Sequence, residues 1–449
     1  MQTRTPRTSV EEIKQFDKNH VLHSWSVQSK IKPLLIVGGE GCYMIDAAGT
    51  RYLDLYSQLN YLNLGYQHPR LVEAIKRQAE RLCVVSPAYA NEPAAVLARL
   101  LSEVAPGDLD RTFFTLGGAD AVENAVKMAR LFTGRHKIIT RYRSYHGATF
   151  GAITLSGDPR RPPVEPGISG VVRALDCYCY RCPFGQSYPG CGLGCAEHID
   201  TLINFEGPGQ VAAVLVEPIV GSNGVLVPPP EYLPRLREIC DRYGVLLIAD
   251  EVMSGWGRAG QWFAVQNWNV VPDIIVTAKG LTGGYLPLGA VIVNARLAQH
   301  FEDNFLWCGL TYSMHPLCCA AGVAAVEIYR DEGIIERSQR LGELLMAGLQ
   351  GLKEKHRSIG DVRGKGLFTG LELVKDRHTR EPLVPWNASA AQMAPVQEVQ
   401  RRLHERRVLP FIRWNSIFVS PPLVVSEAEL EEAIAALDYA LEAADALVA

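Results

Sequence analysis

Apolar residues in the middle of the chain form four short runs that are separated by longer amphipathic segments. The runs are rich in β-branched residues and are apolar at consecutive positions. Strands that are apolar on both faces are typical of a mostly parallel sheet covered by helices on both sides. The four predicted strands cover residues 211–218, 245–252, 273–279 and 289–293.

The segment between the first two runs has a helical period instead. Leu233, Leu236 and Cys240 fall on one face of a helix, and Gly244 follows them. Helices commonly end at a glycine, because glycine adopts the left-handed conformation without strain. The alternation of strands and helices predicts an α/β fold, with a large domain over residues 65–326.

The N-terminal part has a different pattern. Ser9 and Glu12 have the spacing of a capping box, which predicts that a helix begins there. Residues 42–55 then alternate apolar and polar positions around a Gly-Thr turn. Such alternation predicts a β-hairpin.

The C-terminal part is predicted to hold helices, further strands and a long final helix. Ser426 and Glu429 form a second capping-box pattern at the start of that last helix. We predict that residues 1–64 and 327–449 together form one small α+β domain beside the large domain.

The composition is that of an ordinary globular protein. Of the 449 residues, 47% are hydrophobic and 21% are charged, which suffices for more than one buried core. A formal net charge of −3 argues against the basic surface that nucleic-acid binding needs. No apolar run approaches the roughly 20 residues that span a bilayer. The first residues lack a hydrophobic signal core, so we expect a cytoplasmic protein.

Two of the predicted strands end in side chains of opposite charge. Asp250 lies at the end of one apolar run, and Lys279 lies at the end of the next. In an open parallel sheet, the carboxyl ends of the strands meet at one edge, where ligands bind. Either the two side chains form a salt bridge with each other, or they bind a ligand at that edge.

A double glycine opens another predicted helix. Gly117 and Gly118 follow an apolar strand and precede an amphipathic segment. Glycines let backbone amides approach a ligand closely, and a helix N-terminus is partly positive, so this turn favours a phosphate group. The spacing matches neither a dinucleotide-binding nor an NTP-binding motif. The alternative is an ordinary tight turn.

Tyr145 and His146 follow a further predicted strand. An exposed aromatic pair stacks on flat ligands, whereas a buried pair belongs to the core. A phosphate-binding turn, a stacking ring, a carboxylate and a lysine at neighbouring strand ends fit one cofactor, pyridoxal 5′-phosphate (PLP). The aldehyde of PLP reacts with a lysine amine, and its pyridinium nitrogen needs a carboxylate to stay protonated.

The ordered motifs GGAD, YHG, VEP, ADEV, AKG and TYSMHP resemble those of the class III, or omega-type, aminotransferases of PLP fold type I. The resemblance extends from about residue 43 to residue 422. It implies a homodimer with active sites at the subunit interface. The GGAD turn, the residues around YHG and a cysteine-rich insertion are most similar to those of taurine–pyruvate aminotransferases and related pyruvate-dependent omega-transaminases.

The resemblance also implies roles for individual residues. Lys279 is expected to bind PLP covalently and then to move a proton of the substrate. Asp250 is expected to pair with the pyridine nitrogen, with Val252 and Tyr145 on opposite faces of the ring. The other implied cofactor-binding residues are Gly118, Ala119, His146 and Glu217, with Thr311 reaching the cofactor of the other subunit.

Several positions depart from the family pattern. Ala119 lacks the hydroxyl of the usual serine, and Met314 replaces a frequent glycine. In the substrate pocket, Asn60 stands where many amine-accepting members have a tryptophan. The other expected pocket residues are Leu59, Tyr89 and Arg413.

The carboxylate-binding arginine of the family has no direct counterpart. Counting back from the SPPL motif places Phe411 at its position, and Arg413 lies two residues further on, so both face the same side of a strand. A guanidinium binds a carboxylate through two parallel hydrogen bonds, so we expect Arg413 to take this role. The alternative is an ordinary surface arginine.

Five of the 11 cysteines lie in one short stretch, with His198 nearby. Their spacing permits a tetrahedral zinc site but lacks paired Cys-x-x-Cys motifs. A metal site, a disulfide and a compact insertion with reduced thiols are all compatible with it, and we expect reduced thiols without a metal. The five are Cys177, Cys179, Cys182, Cys191 and Cys195.

The predicted activity is transfer of an amino group from an omega-amino acid or a simple amine to pyruvate or another 2-oxo acid, by a ping-pong mechanism. The alternatives are an aminomutase or a decarboxylase of the same fold. A non-catalytic scaffold is disfavoured, because Lys279, Asp250 and Tyr145 are all present.

Overall fold

Helices and strands alternate along most of the chain in the computed structural model, which describes residues 8–448. None of the helices in this range combines the length and the apolar character required to cross a membrane. The helices are α1 (Val10–His20), α2 (Ser57–Asn60), α3 (Pro69–Arg81), α4 (Glu92–Val104), α5 (Gly118–Thr133), α6 (Phe150–Leu155), α7 (Gly194–Glu206), α8 (Tyr232–Tyr243), α9 (Ala295–Asp303), α10 (Pro316–Asp331), α11 (Ile334–Lys355), α12 (Ala394–Glu405) and α13 (Glu427–Asp445). The strands are β1 (Ile36–Glu40), β2 (Tyr43–Asp46), β3 (Arg51–Asp54), β4 (Leu109–Thr115), β5 (Lys137–Arg141), β6 (Val171–Ala174), β7 (Val211–Val216), β8 (Leu246–Asp250), β9 (Ile274–Thr277), β10 (Gly289–Asn294), β11 (Ile359–Lys365), β12 (Phe368–Leu373), β13 (Val408–Leu409), β14 (Phe411–Arg413) and β15 (Ser416–Val419).

Seven strands form the central sheet, in the order β4-β10-β9-β8-β7-β5-β6. Neighbouring strands are parallel except where β10 is one of the pair. Leu215 and Ile248 lie with α5 in one apolar cluster, and Val214 and Leu247 lie with α8 in another. Alternate residues of the same strands therefore pack against helices on opposite faces, which confirms the predicted α/β fold.

Three of the four predicted central strands are shorter than the apolar runs that predicted them, and β10 is one residue longer. β7 ends before Glu217, and β9 ends before Lys279. The residue after Glu217 is a proline, which has no N–H for a strand ladder. Lys279 has a φ of +48°, in the left-handed region that a strand does not use. Both charged residues therefore lie in loops just beyond the sheet.

Two four-stranded sheets complete the fold, in the orders β1-β2-β3-β13 and β11-β12-β15-β14. β2 and β3 pair in antiparallel, so the predicted hairpin is confirmed. β13 adds to β3 in parallel, with Val408 opposite Leu53. The two ends of the chain therefore share one sheet, while the domain boundaries at residues 64 and 326 stay a prediction.

The predicted helix ends are confirmed. Ser9 and Glu12 form a capping box at α1, and Ser426 and Glu429 form another at α13. Gly244 ends α8 with a φ of +60°, a conformation that glycine adopts without a steric penalty.

Arg258 is a fully buried cation that joins separate parts of the chain. Its guanidinium donates hydrogen bonds to Ser57 Oγ at 2.8 Å and Asn63 Oδ1 at 3.0 Å. It also donates to the carbonyl oxygens of Leu367 at 3.0 Å and Pro421 at 2.6 Å. Burial lowers the pKa of Arg258 to about 10. These bonds hold α2 and the loop after it against the C-terminal part of the chain.

Candidate active site

A cavity of about 430 Å³ opens at the edge of the central sheet where the parallel strands end. The loops after β4, β5, β7, β8 and β9 form its walls. This is the edge at which ligands bind in open parallel sheets. The predicted site residues that line the cavity are Gly118, Ala119, Tyr145, His146, Glu217, Asp250, Val252 and Lys279.

Asp250 is the last residue of β8, and its buried carboxylate is held from two sides. Oδ2 lies 2.7 Å from Nδ1 of His146, and Oδ1 accepts a hydrogen bond from the backbone N–H of Val252 at 3.1 Å. Nε2 of His146 lies 3.2 Å from Oγ1 of Thr140. An ionised carboxylate only accepts hydrogen bonds, so Nδ1 is the donor. His146 is therefore a buried residue that fixes Asp250, and it is not an exposed stacking partner.

Lys279 lies in the loop after β9 and lines the cavity. Burial lowers the pKa of its amine to about 8, although the charges of Asp250 and Glu217 raise it. Within residues 8–448 Lys279 takes part in no salt bridge, and Asp250 pairs with His146 instead. The alternative of an Asp250–Lys279 salt bridge is therefore wrong, and the amine remains available to a ligand.

Glu217 follows β7 and is buried beside the cavity. Its Oε1 accepts a hydrogen bond from the backbone N–H of Tyr145 at 3.0 Å, and its Oε2 accepts one from Gly221 at 2.7 Å. Burial raises the pKa of Glu217 to about 7, the charge of His146 opposes the rise, and that of Asp250 adds to it. Glu217 thus ties the loop that carries Tyr145 to the loop after β7.

The N-terminus of α5 opens onto the cavity. Its N-cap residue is Gly117, which has no side chain to accept hydrogen bonds from the first helical amides. A Cβ on Gly118 would lie 2.9 Å from Cγ1 of Val252, and one on Gly147 would lie 2.5 Å from Cβ of Ala119. Close packing of the surrounding loops therefore requires both glycines. The uncapped amides are suited to bind an anion such as a phosphate group.

Three charged side chains form a connected group, and one of them lies over the ring of Tyr145. The guanidinium of Arg160 lies 3.7 Å from the centroid of that ring and 5.0 Å from the centroid of the Trp25 ring. Arg160 Nε donates to the carboxylate of Asp158 at 2.7 Å, and Arg413 Nη2 donates to the same carboxylate at 2.8 Å. Sequence reasoning missed Asp158 and Arg160. The available signal was a pair of consecutive arginines after an Asp-Pro dipeptide.

Arg413 lies at the end of β14 with 14% of its side chain exposed. This burial excludes the alternative of an ordinary surface arginine. Phe411, two residues earlier, stacks on Tyr56 with the ring centroids 4.5 Å apart. Arg413 does not line the cavity directly, and its role toward a substrate stays a prediction.

Four other predicted residues lie outside the cavity lining. Leu59, Tyr89 and Thr311 are exposed at the surface of the chain, and their roles stay predictions. Asn60 is buried with a φ of +57°, and within the described chain neither polar atom of its amide has a hydrogen-bond partner. Met314 has a φ of +56°, so the glycine that is frequent at this position would suit the backbone there.

The cysteine-rich insertion surrounds a small cavity that all five of its cysteines line. The five are free thiols, and among the described residues no three metal-ligating side chains are placed to hold a metal ion. Arg141 connects the insertion to the site, because it donates to Cys177 Sγ at 3.3 Å and to the carbonyl oxygen of Glu217 at 2.5 Å. Burial raises the pKa of Cys177 to about 11 and that of Cys195 to about 12, so these two thiols stay protonated near neutral pH.

The arrangement has a clear chemical capability. An amine with a lowered pKa is a nucleophile toward carbonyl carbons and a base near neutral pH. It shares one cavity with a carboxylate that a buried imidazole holds, and with an uncapped helix N-terminus. The cavity therefore suits a ligand that has a carbonyl group, a cationic ring nitrogen and a phosphate.

Comparison with known proteins agrees with this chemistry. A family model described as class III aminotransferase matches residues 25–441. A probable aminotransferase of Mycobacterium tuberculosis is 41% identical over 374 residues, which are 81% of this chain and 80% of that protein. A taurine–pyruvate aminotransferase of Bilophila wadsworthia is 34% identical over 449 residues, with 96% of each chain covered. The solved structure of a taurine:2-oxoglutarate aminotransferase from Bifidobacterium kashiwanohense, in complex with PLP and glutamate, is 40% identical. It has a TM-score of 0.93, and the match covers 98% of this chain and 99% of that chain.

Proposed function

Because this chain belongs to the class III aminotransferases, which use PLP, we propose that it transfers the amino group of an omega-amino acid or a simple amine to a 2-oxo acid. Pyruvate is the first acceptor to test, with 2-oxoglutarate as the alternative. The substrates bind in turn: the donor leaves as a carbonyl compound before the acceptor enters the same pocket.

The side chains of the cavity fit PLP. The uncapped N-terminus of α5 suits the phosphate group, and the carboxylate of Asp250 suits the pyridinium nitrogen. Lys279 offers its amine to the aldehyde, and Tyr145 and Val252 line the cavity with surfaces for the two faces of the ring. The chemistry that PLP supplies when bound is the withdrawal of electrons from the substrate carbon that carries the nitrogen.

We propose that Lys279 moves the proton of the substrate. With a pKa of about 8, its buried amine is partly neutral near pH 7, so it accepts a proton and returns it at another atom. An ordinary lysine, with a pKa of about 10.4, stays protonated at this pH. The placement of Lys279 in one cavity with Asp250 and the uncapped N-terminus of α5 is the observation that carries the proposed amino transfer.

The arrangement of Arg160 and Arg413 favours a substrate that has an acid group. Both guanidinium groups bind the single carboxylate of Asp158, so this group of three side chains has one positive charge that is not balanced within it. Guanidinium groups bind carboxylates, and other planar or tetrahedral oxyanions, through charge-assisted hydrogen bonds. Two of the similar proteins are named for taurine, an omega-amino sulfonate, so taurine is the first donor to test.

We also propose a homodimer in which Thr311 of one protomer contacts the cofactor of the other. The neighbours of Thr311 along the chain include three large apolar side chains with high exposure: Phe305 at 70%, Trp307 at 65% and Tyr312 at 56%. Contiguous exposed apolar surface of this kind marks protein interfaces. Sedimentation velocity of the active enzyme tests this proposal, and an active monomer would contradict it.

A donor screen tests the proposed activity. Taurine, β-alanine and α-phenylethylamine are each offered with pyruvate or 2-oxoglutarate, and the amino acid formed is quantified together with the carbonyl product of the donor. One amino acid per carbonyl product supports amino transfer. Release of CO₂ without an acceptor would indicate a decarboxylase, and an isomer of the donor would indicate an aminomutase. Lys279→Ala is the inactive control.

A further inference from the structure

The carboxylate of Asp158 is shielded from solvent and holds two arginines at once. Arg160 donates to Oδ1 from Nε at 2.7 Å and to Oδ2 from Nη2 at 3.0 Å. Arg413 donates to Oδ2 from Nη2 at 2.8 Å. Three charge-assisted hydrogen bonds therefore converge on one buried carboxylate.

Each arginine is also fixed on its other side. The guanidinium of Arg160 lies over the ring of Tyr145. The guanidinium of Arg413 lies 4.3 Å from the centroid of the Trp414 ring and donates to the carbonyl oxygen of Ser222 at 3.2 Å. A guanidinium has five N–H donors, so each arginine retains N–H groups that these contacts do not use.

The negative charge of the Asp158 carboxylate allows the guanidinium groups of Arg160 and Arg413 to lie close together. Burial by itself would raise the pKa of Asp158, but the hydrogen bonds and charges of Arg160 and Arg413 lower it below its usual value. Asp158 is therefore ionised at neutral pH. Without that negative charge, two guanidinium groups would face each other unpaired in a poorly hydrated place, which is unfavourable.

We propose that Asp158 is a positioning residue for acid recognition: it holds Arg160 and Arg413 together in one orientation, with their remaining N–H groups directed to the carboxylate or sulfonate of a substrate. Asp158 itself does not contact the substrate. This inference rests on the proposed function, because it specifies how the same pocket selects substrates with an acid group.

Binding of unreactive acids tests the inference separately from catalysis. Propionate and ethanesulfonate have the acid group but neither an amine nor a carbonyl for amino transfer. Their affinity for the PLP-loaded enzyme is measured by calorimetry in the wild type and in Asp158→Asn, Arg160→Ala and Arg413→Ala. Loss of hydrogen bonds to a charged group predicts a decrease of about tenfold or more for each variant. In Asp158→Glu, which keeps the negative charge, part of the affinity is expected to return.

A double-mutant cycle separates positioning from a general structural role. Because Asp158 acts partly through Arg413, Asp158→Asn is expected to have a smaller effect in the Arg413→Ala background than in the wild type, and the effect that remains is the part exerted through Arg160. The KM of α-phenylethylamine, a donor without an acid group, is expected to change less than about threefold. Additive effects, or equal losses for the acids and for the neutral amine donor, would overturn the inference.

Two further outcomes are distinguishable. If Asp158→Asn does not fold, the double variant Asp158→Asn with Arg160→Gln removes one charge of each sign, and its acid affinity is compared with that of Arg160→Gln alone. Equal affinities in that pair would overturn the inference. If the wild type binds the acids and the cycle is non-additive, but no donor transfers its amino group, the proposed function fails while the inference stands. If the wild type binds neither acid, the inference is contradicted, whereas the proposed amino transfer is not.

Discussion

Nδ1 of His146 lies 2.7 Å from Oδ2 of Asp250, and both side chains are buried. The pair lies under the cavity, with Thr140 Oγ1 on the far side of the imidazole at 3.2 Å. The imidazole thereby keeps one oxygen of the carboxylate in place while the backbone N–H of Val252 holds the other. The electrostatic role proposed for Asp250 thus depends on a residue 104 positions earlier in the chain.

His146→Ala is expected to slow the first half-reaction by about tenfold to 100-fold, because a hydrogen bond to a charged group is worth about 1.5–3 kcal/mol. Stopped-flow absorbance of the bound cofactor after mixing with donor measures this rate. His136→Ala, at an exposed histidine, is the control. A normal rate in His146→Ala would contradict the supporting role of the imidazole.

Lys279→Ala is expected to abolish turnover, since it removes both the covalent anchor and the proposed base. In the wild type, borohydride reduction followed by peptide mapping is expected to place the pyridoxyl group on Lys279. Lys76→Ala, on the exposed face of α3, is expected to keep full activity. A pyridoxyl group on another lysine would show that the assignment is wrong.

The pKa of Lys279 predicts a pH dependence for covalent attachment of PLP to the apo-protein. Attack on the aldehyde needs the neutral amine, so the rate rises with pH and levels off above the pKa of about 8. At pH 7 about a tenth of such amines are neutral, against about four in ten thousand for an ordinary lysine.

The test adds PLP to the apo-protein between about pH 6 and about pH 10 and measures, against time, the fraction of protein that borohydride reduction traps with PLP attached. In Asp250→Asn the midpoint is expected at lower pH, because the Asp250 charge raises the pKa of Lys279. A wild-type midpoint above about pH 10 would mean that burial does not perturb this amine.

Ala119→Ser is expected to strengthen PLP binding. Ala119 lines the cavity in the first turn of α5, so a hydroxyl at this position would lie near the uncapped amides. One added hydrogen bond to a charged phosphate predicts about a tenfold lower Kd, measured by equilibrium dialysis of the apo-protein. The exposed Ala148→Ser is the control. Weaker binding in Ala119→Ser would place the phosphate elsewhere.

Arg258→Ala is expected to destabilise the fold by at least about 3 kcal/mol, because it leaves four buried oxygen acceptors without a donor. The free energy of unfolding from urea titration is the measurement. Arg77→Ala, at an exposed arginine of α3, should change it by less than about 0.5 kcal/mol. Equal effects of the two substitutions would mean that water replaces the guanidinium.

Local patterns in the sequence were sufficient for several elements of the fold and for the placement of Asp250 and Lys279 at one edge of the sheet. Both capping boxes and the glycine that ends α8 are read from residues that are close together in the chain. Asp250 and Lys279 follow apolar runs, and the carboxyl ends of parallel strands meet at one edge, so their proximity followed from the strand pattern. The class III motifs added the cofactor.

Periods and motifs of a few residues were enough to predict which strand ends bring Asp250 and Lys279 to one edge of the sheet. The hydrogen-bond partners of the site residues are visible only in the folded chain. Asp250 pairs with His146 and not with Lys279, and Arg413 pairs with Asp158, 255 positions earlier in the chain. The lowered pKa of Lys279 likewise comes from burial by several loops. Partners and burial depend on packing between distant segments, which no local pattern of residues encodes.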